Sequence, residues 1–194
     1  MDVFERNASG NTFTQKSLEE LTLKRKEYPV GFSTVLASDG NFFYYDLDGQ
    51  ALLRWFKDPS GNWTSEIIET SDKENYKHPA MAPDENYLLT TTDDNDINIW
   101  EPDATGNWQL SILPLHSPQT MEAFFVSPNS KYFLTVNQTS QTDEFWSKNN
   151  QGKWECQEFD GVDGGGLNKY GILEIPQAAF ANNSKSFVIT GLDE

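Results

Sequence analysis

Two histidines, one cysteine and several acidic turns are the residues of this 194-residue chain with the means for chemistry. Catalysis by side chains needs a nucleophile beside a base, a metal cage, or carboxylates placed by geometry. His78 stands directly before Pro79 and reads as a loop residue at the start of a strand. Cys156 follows Trp154 within a segment that reads as a strand, where a small, half-buried residue is expected rather than a nucleophile. Cysteine and histidine do not occur at zinc spacing. Asp93-Asp94-Asn95-Asp96 lacks the glycine and the distal glutamate of an EF-hand loop and runs directly into Ile97, so a turn between strands explains it better. The glycines at 161, 164, 165 and 166 are not followed by Lys-Ser or Lys-Thr, so no phosphate-binding loop is formed. Six tryptophans, Trp55, Trp63, Trp100, Trp108, Trp146 and Trp154, have the chemistry of a carbohydrate platform, but their regular recurrence points to packing. These residues lead us to expect no catalytic residue, no metal and no cofactor.

The charge balance narrows the partners. Fourteen Lys and Arg against thirty Asp and Glu give a formal net charge of −16. Such a chain repels phosphate backbones, which argues against nucleic acid and anionic membranes and in favour of a basic partner. No run approaches the roughly 18 apolar residues of a membrane helix. Met1-Asp2-Val3-Phe4-Glu5-Arg6 lacks the basic-then-apolar pattern of a secretion signal. A single cysteine forms no internal disulfide. The expected location is the cytoplasm, of the producing cell or of a host.

What must position these residues is a repeat. Trp-x5-Gly-x-Trp occurs as Trp55…Gly61-Asn62-Trp63, Trp100…Gly106-Asn107-Trp108 and Trp146…Gly152-Lys153-Trp154. Turns at Ser38–Asn41, Pro83–Asn86, Pro128–Lys131 and Asn182–Lys185 precede the aromatic and branched runs Phe42–Tyr45, Tyr87–Thr90, Tyr132–Thr135 and Phe187–Thr190. Runs of this kind bounded by turn formers read as strands. A second polar turn, such as Asp46–Gly49 or Asp93–Asp96, leads to a third strand that ends on tryptophan, and a fourth follows the Gly-x-Trp. Four short antiparallel strands in about 45 residues make the blade of a β-propeller.

The middle repeats resemble WD40 repeats across most of the chain. Ala80-Met81-Ala82-Pro83-Asp84 and Ala123-Phe124-Phe125-Val126-Ser127-Pro128-Asn129 look like that family's apolar–Ser–Pro–Asp–Gly segment. Asp94 stands six residues before Trp100, at the family's turn aspartate, and His116 stands near the place of its Gly-His. The Trp-Asp dipeptide itself is lost, since Phe56, Glu101 and Ser147 follow the tryptophans. The resemblance implies a His–Ser/Thr–Asp–Trp hydrogen-bond network within each blade. That network is incomplete here, with Ser140 at the aspartate position of the third repeat. The resemblance also implies a structural role for His116 and the six tryptophans.

The expected fold is therefore all-β: a single propeller domain over 1–194, with four blades per chain. The repeats fall at about 30–69, 76–114 and 119–159. The last blade is shared between 172–194 and 1–24, because Val3-Phe4…Gly10…Phe13 matches Trp…Gly-x-Trp. Two chains completing one eight-bladed ring is the expected assembly. The turns between second and third strands share one rim, which carries Asp46, Asp48, Asp93, Asp94, Asp96, Asp143 and Asp193. A focused negative potential there suits a basic protein or peptide. The main expectation is thus a non-catalytic protein-interaction scaffold, not an enzyme. Alternatives are a carbohydrate-binding or glycan-acting propeller and a purely structural self-assembly unit. The glycine-containing insertion at 160–169 lies near the same rim.

Overall fold

A computed structural model describes residues 2–6, 9, 12–17, 34–36, 42–47, 51–70, 77–92, 94, 96–113, 121–137, 142–160 and 177–190. All of its regular elements are strands, paired antiparallel. Three four-stranded sheets follow one another along the chain. The first joins β3 (Thr34–Leu36), β4 (Phe42–Leu47), β5 (Ala51–Lys57) and β6 (Trp63–Thr70). The second joins β7 (Lys77–Met81), β8 (Leu88–Thr91), β9 (Ile97–Pro102) and β10 (Trp108–Leu113). The third joins β11 (Met121–Val126), β12 (Tyr132–Asn137), β13 (Thr142–Lys148) and β14 (Trp154–Asp160). Two further pairs stand as separate sheets, β1 (Asp2–Arg6) with β2 (Phe13–Ser17) and β15 (Gln177–Phe180) with β16 (Phe187–Thr190).

The two sequence landmarks are two turns. In the first, the backbone N–H of Glu85, Ser130 and Ser184 donates to the carbonyl of Ala82, Ser127 and Ala181 at 2.8, 2.9 and 2.8 Å. Those three donors have φ of 61°, 58° and 55°, the left-handed conformation a tight reversal needs. In the second, Asp58, Asp103 and Asn149 each turn a side-chain oxygen onto the backbone two and four residues ahead. Asp103 Oδ1, for example, accepts from Thr105 N at 2.8 Å and Asn107 N at 3.0 Å. The Thr105 hydroxyl, which donates to Oδ1 at 2.6 Å, and then these backbone bonds hold the Asp103 carboxyl below its usual pKa. The glycine of the motif follows at φ +80°, +89° and +78° for Gly61, Gly106 and Gly152, which is why the repeat keeps glycine there.

Tryptophan and its neighbours fill the spaces between sheets. Tyr87, Leu89, Ile97 and Ile99 of the second sheet pack against Phe124, Phe133, Trp146 and Trp154 of the third. Leu52 of the first sheet meets Met81, Leu88 and Trp100 of the second in the same manner. Side-chain hydroxyls also link the turns across sheets: Asp84 N donates to Ser130 Oγ at 3.0 Å and Asn129 N to Ser184 Oγ at 3.2 Å. Among the described residues, no helix is long and apolar enough to cross a membrane.

Candidate functional site

One edge of the second sheet gathers the groups best suited to proton transfer. Cross-strand pairing puts Lys77 beside Thr91, and Thr91 beside Ile97. Between Lys77 and Ala80 the register slips, and within that bulge His78 adopts a φ of 50°. A bulge re-aims a side chain, and a non-glycine residue in the left-handed region is conformationally costly. His78 is consequently a strand residue at a strained bulge, not the loop residue expected from Pro79. Its Nδ1 lies 3.2 Å from Thr91 Oγ1. Thr91 is itself buried, so the contact anchors the imidazole to the sheet.

The turn just beyond carries carboxylates. Thr92 N donates to the carbonyl of Asp96 at 3.3 Å, closing the β8–β9 connection. Asp94 on that turn is exposed and Asp96 half-buried. Asp46 lies on β4, opposite Leu52 of β5. Asp143 differs from the exposed rim residue expected of it: it is fully buried on β13. The side chain at the start of a third strand points between sheets, as Ile97 does, and not outward. Asp48, Asp93, Asp193 and His116 lie outside the described residues, as does most of the 160–169 insertion. Among the described residues no group of three His, Cys, Asp or Glu is arranged to hold a metal ion.

A buried tryptophan N–H usually finds an acceptor. Trp100 Nε1 donates to Thr90 Oγ1 at 3.0 Å. In the next sheet Trp146 Nε1 donates to Glu144 Oε2 at 3.1 Å, and Thr135 Oγ1 to the same oxygen at 3.2 Å. Glu144, two residues before Trp146, therefore takes the acceptor role that the WD40 resemblance assigned six residues earlier. Trp55, Trp100, Trp146 and Trp154 are buried, while Trp63 and Trp108 are half-buried. Trp63 and Trp154 lie under Lys57 and Lys148 at 5.3 and 5.1 Å. Cys156 is half-buried, and burial with the nearby Glu144 and Glu158 charges pushes its thiol up to about 11. It stays a neutral thiol at physiological pH, a poor nucleophile.

Comparison of whole folds places this arrangement. A protein from Bacteroides uniformis named as a candidate 6-phosphogluconolactonase superposes with a TM-score of 0.55 at 18% identity over 81% of this chain. A protein from Lactobacillus plantarum gives 0.54 at 18% over 82%, and a second candidate 6-phosphogluconolactonase, from Bacteroides fragilis, 0.50 at 15% over 81%. The chain has a β-propeller-like fold. It covers 48% of each of those three structures, about half their length. The sequence matches no protein-family model and no curated protein.

This likeness corrects the main functional expectation. Two of the three superposed structures are named as candidate 6-phosphogluconolactonases, against the expected non-catalytic interaction scaffold that is not an enzyme. The sequence reading failed for a physical reason. His78 and Thr91 stand on separate strands of one sheet, so their contact depends on strand pairing and leaves no local motif. His78 left one signal only, a titratable residue before proline in a segment otherwise read as a strand.

Proposed function

We propose that this chain acts on a carbohydrate-derived lactone, with His78 as the general base on the rim of its second sheet. The observation that carries the reading is the strained bulge that holds His78 against Thr91, on the strand that leads into the turn bearing Asp94 and Asp96. A neutral histidine imidazole has a free ring nitrogen that can accept a proton. In ring opening, His78 takes a proton from water as the oxygen attacks the lactone carbonyl. The bond from carbonyl carbon to ring oxygen breaks, the protonated His78 gives its proton to the departing ring oxygen, which ends as a hydroxyl, and the carboxylic acid formed releases one proton to solvent. Carboxylates accept hydrogen bonds from sugar hydroxyls, which gives Asp94 and Asp96 an orienting role. With a net charge of −16, an uncharged sugar lactone is favoured over a phosphorylated one.

The finer architecture belongs to the same proposal. The blades are of WD40 type, with four blades' worth of strands in one domain over 1–194, the fourth being completed where a β15–β16 pair meets a β1–β2 hairpin. Proton release on adding glucono-δ-lactone, followed with a pH indicator, tests the activity. Above spontaneous hydrolysis, the rate should fall by about 100-fold or more in His78→Asn, in keeping with the loss of a general base. A wild-type rate no faster than buffer with either glucono-δ-lactone or its 6-phosphate would refute the reading.

A further inference from the structure

A slot of about 580 Å³ opens between the third sheet and the β15–β16 pair, lined by Tyr132, Phe145, Phe180 and Phe187 together with Ser184, Lys185 and Ser186. Its walls repeat a junction that is filled elsewhere. Between the second and third sheets, Tyr87 and Ile99 face Phe133, and Trp146 and Trp154 occupy the space. Trp146 stacks on Phe133 at 5.7 Å, and Trp154 meets Phe133 at 5.0 Å and Tyr87 at 5.2 Å. In the slot, Tyr132 and Phe145 stand where Tyr87 and Ile99 do, and Phe187 stands where Phe133 does. Phe187 stacks on Phe145 at 6.0 Å. Among the described residues, no equivalent of Trp146 or Trp154 lines the slot.

Those equivalents exist on β1 and β2. Phe4 and Phe13 occupy the first and last positions of the tryptophan motif, and the ion contacts confirm the alignment. Glu101, directly after Trp100, binds Lys148, two residues after Trp146. Glu5, directly after Phe4, binds Lys57, two residues after Trp55, at 3.0 Å, and accepts from Trp63 Nε1 at 2.7 Å. The β1–β2 hairpin is thus the outer half of a blade, docked on the first sheet. Its aromatic residues are largely open to solvent: Phe4 is 61% and Phe13 64% exposed. On the other side, Phe187 is 38% and Val188 58% exposed, whereas their counterparts Phe133 and Leu134 are fully buried.

We infer that the slot receives the β1–β2 hairpin of a second copy of this chain, with β1 pairing antiparallel to β16 and Phe4 beside Phe187. A second copy is preferred because β1–β2 and β15–β16 are separate sheets in one chain, each fixed to a different neighbour. The chain covers 48% of each of the structures from Lactobacillus plantarum and Bacteroides uniformis, so two copies match the length of one of them. A two-fold axis makes the two junctions identical and leaves neither edge bare.

The experiment is a cross-link in a Cys156→Ser background. A Phe4→Cys chain is mixed with a Phe187→Cys chain, and each is also oxidised alone. Directly opposed strand residues lie within disulfide reach. Expected are a disulfide-linked species of twice 22.0 kDa from the mixture only, and wild-type protein of that doubled mass by light scattering. A wild-type mass of one chain from 1 to 200 μM overturns the inference without any variant. A dimer that does not cross-link in the mixture also overturns it, as does a Phe4→Cys/Phe187→Cys chain that links only to itself.

Discussion

Asn98 stands on β9, two residues before Trp100, and is 1% exposed; neither its Nδ2 nor its Oδ1 meets a hydrogen-bond partner among the described residues. The same place in the first sheet is Leu53, also buried, and in the third it is Glu144, which accepts two bonds. A buried amide left unsatisfied costs about 1–3 kcal/mol, and a like-shaped apolar residue avoids that cost. Asn98→Leu should therefore raise stability by about 1–2 kcal/mol, read from the urea midpoint at unchanged slope. A lower midpoint would mean that the amide is held by a group worth more than burial. Individual roles like these were the least legible part of the sequence. Ser130 and Ser184 looked like ordinary turn residues, yet their hydroxyls bind backbone N–H groups 46 and 55 residues away. His78 likewise showed a neighbouring proline but not the partner, Thr91, thirteen residues along the chain. Contacts of this kind depend on which strands become neighbours, and spacing alone does not give that.

At the scale of strands and turns, much more could be read. The glycine of each Trp-x5-Gly-x-Trp marked a left-handed turn residue, and the aromatic runs marked second strands, because local sterics and alternation decide both. The bulge in β7 was not visible, since nothing in Lys77-His78-Pro79 separates a slipped register from a loop. Elements also carry the pH response. Glu5 joins the β1–β2 hairpin to the first sheet, and hydrogen bonds from Lys57, then Lys16, lower its carboxyl from 4.5 to about 2. A carboxylate depressed on folding contributes stability that is complete above its unfolded pKa and disappears as pH falls through the folded one. The difference in melting temperature between wild type and Glu5→Gln should be constant above about pH 5 and shrink towards zero near pH 2. A difference that stays level across that range would show that the contact is not an ionic one.

For the molecule as a whole, two electrostatic effects oppose each other. The net charge of −16 produces self-repulsion that weakens the compact state. The ion contacts between neighbouring units, Glu5 with Lys57 and Glu101 with Lys148, are attractive but partly exposed, and such pairs contribute about 0–1 kcal/mol each. Salt screens both, over a Debye length of about 10 Å at 0.1 M. Repulsion spreads over thirty carboxylates and longer distances, so its screening should outweigh the loss of a few short contacts. Raising NaCl from about 20 to 300 mM should increase the melting temperature by about 2–4 °C, which corresponds to roughly 1 kcal/mol for a chain of this size. Association of two copies brings −16 onto −16, so the same salt should also favour the doubled mass at fixed protein concentration. Running the melts at 1 and 100 μM separates the effects: a gain confined to the higher concentration reports assembly, whereas an equal gain at both reports the fold of each chain. A melting temperature that falls with salt at both concentrations would place the stability of this propeller in its ion contacts instead.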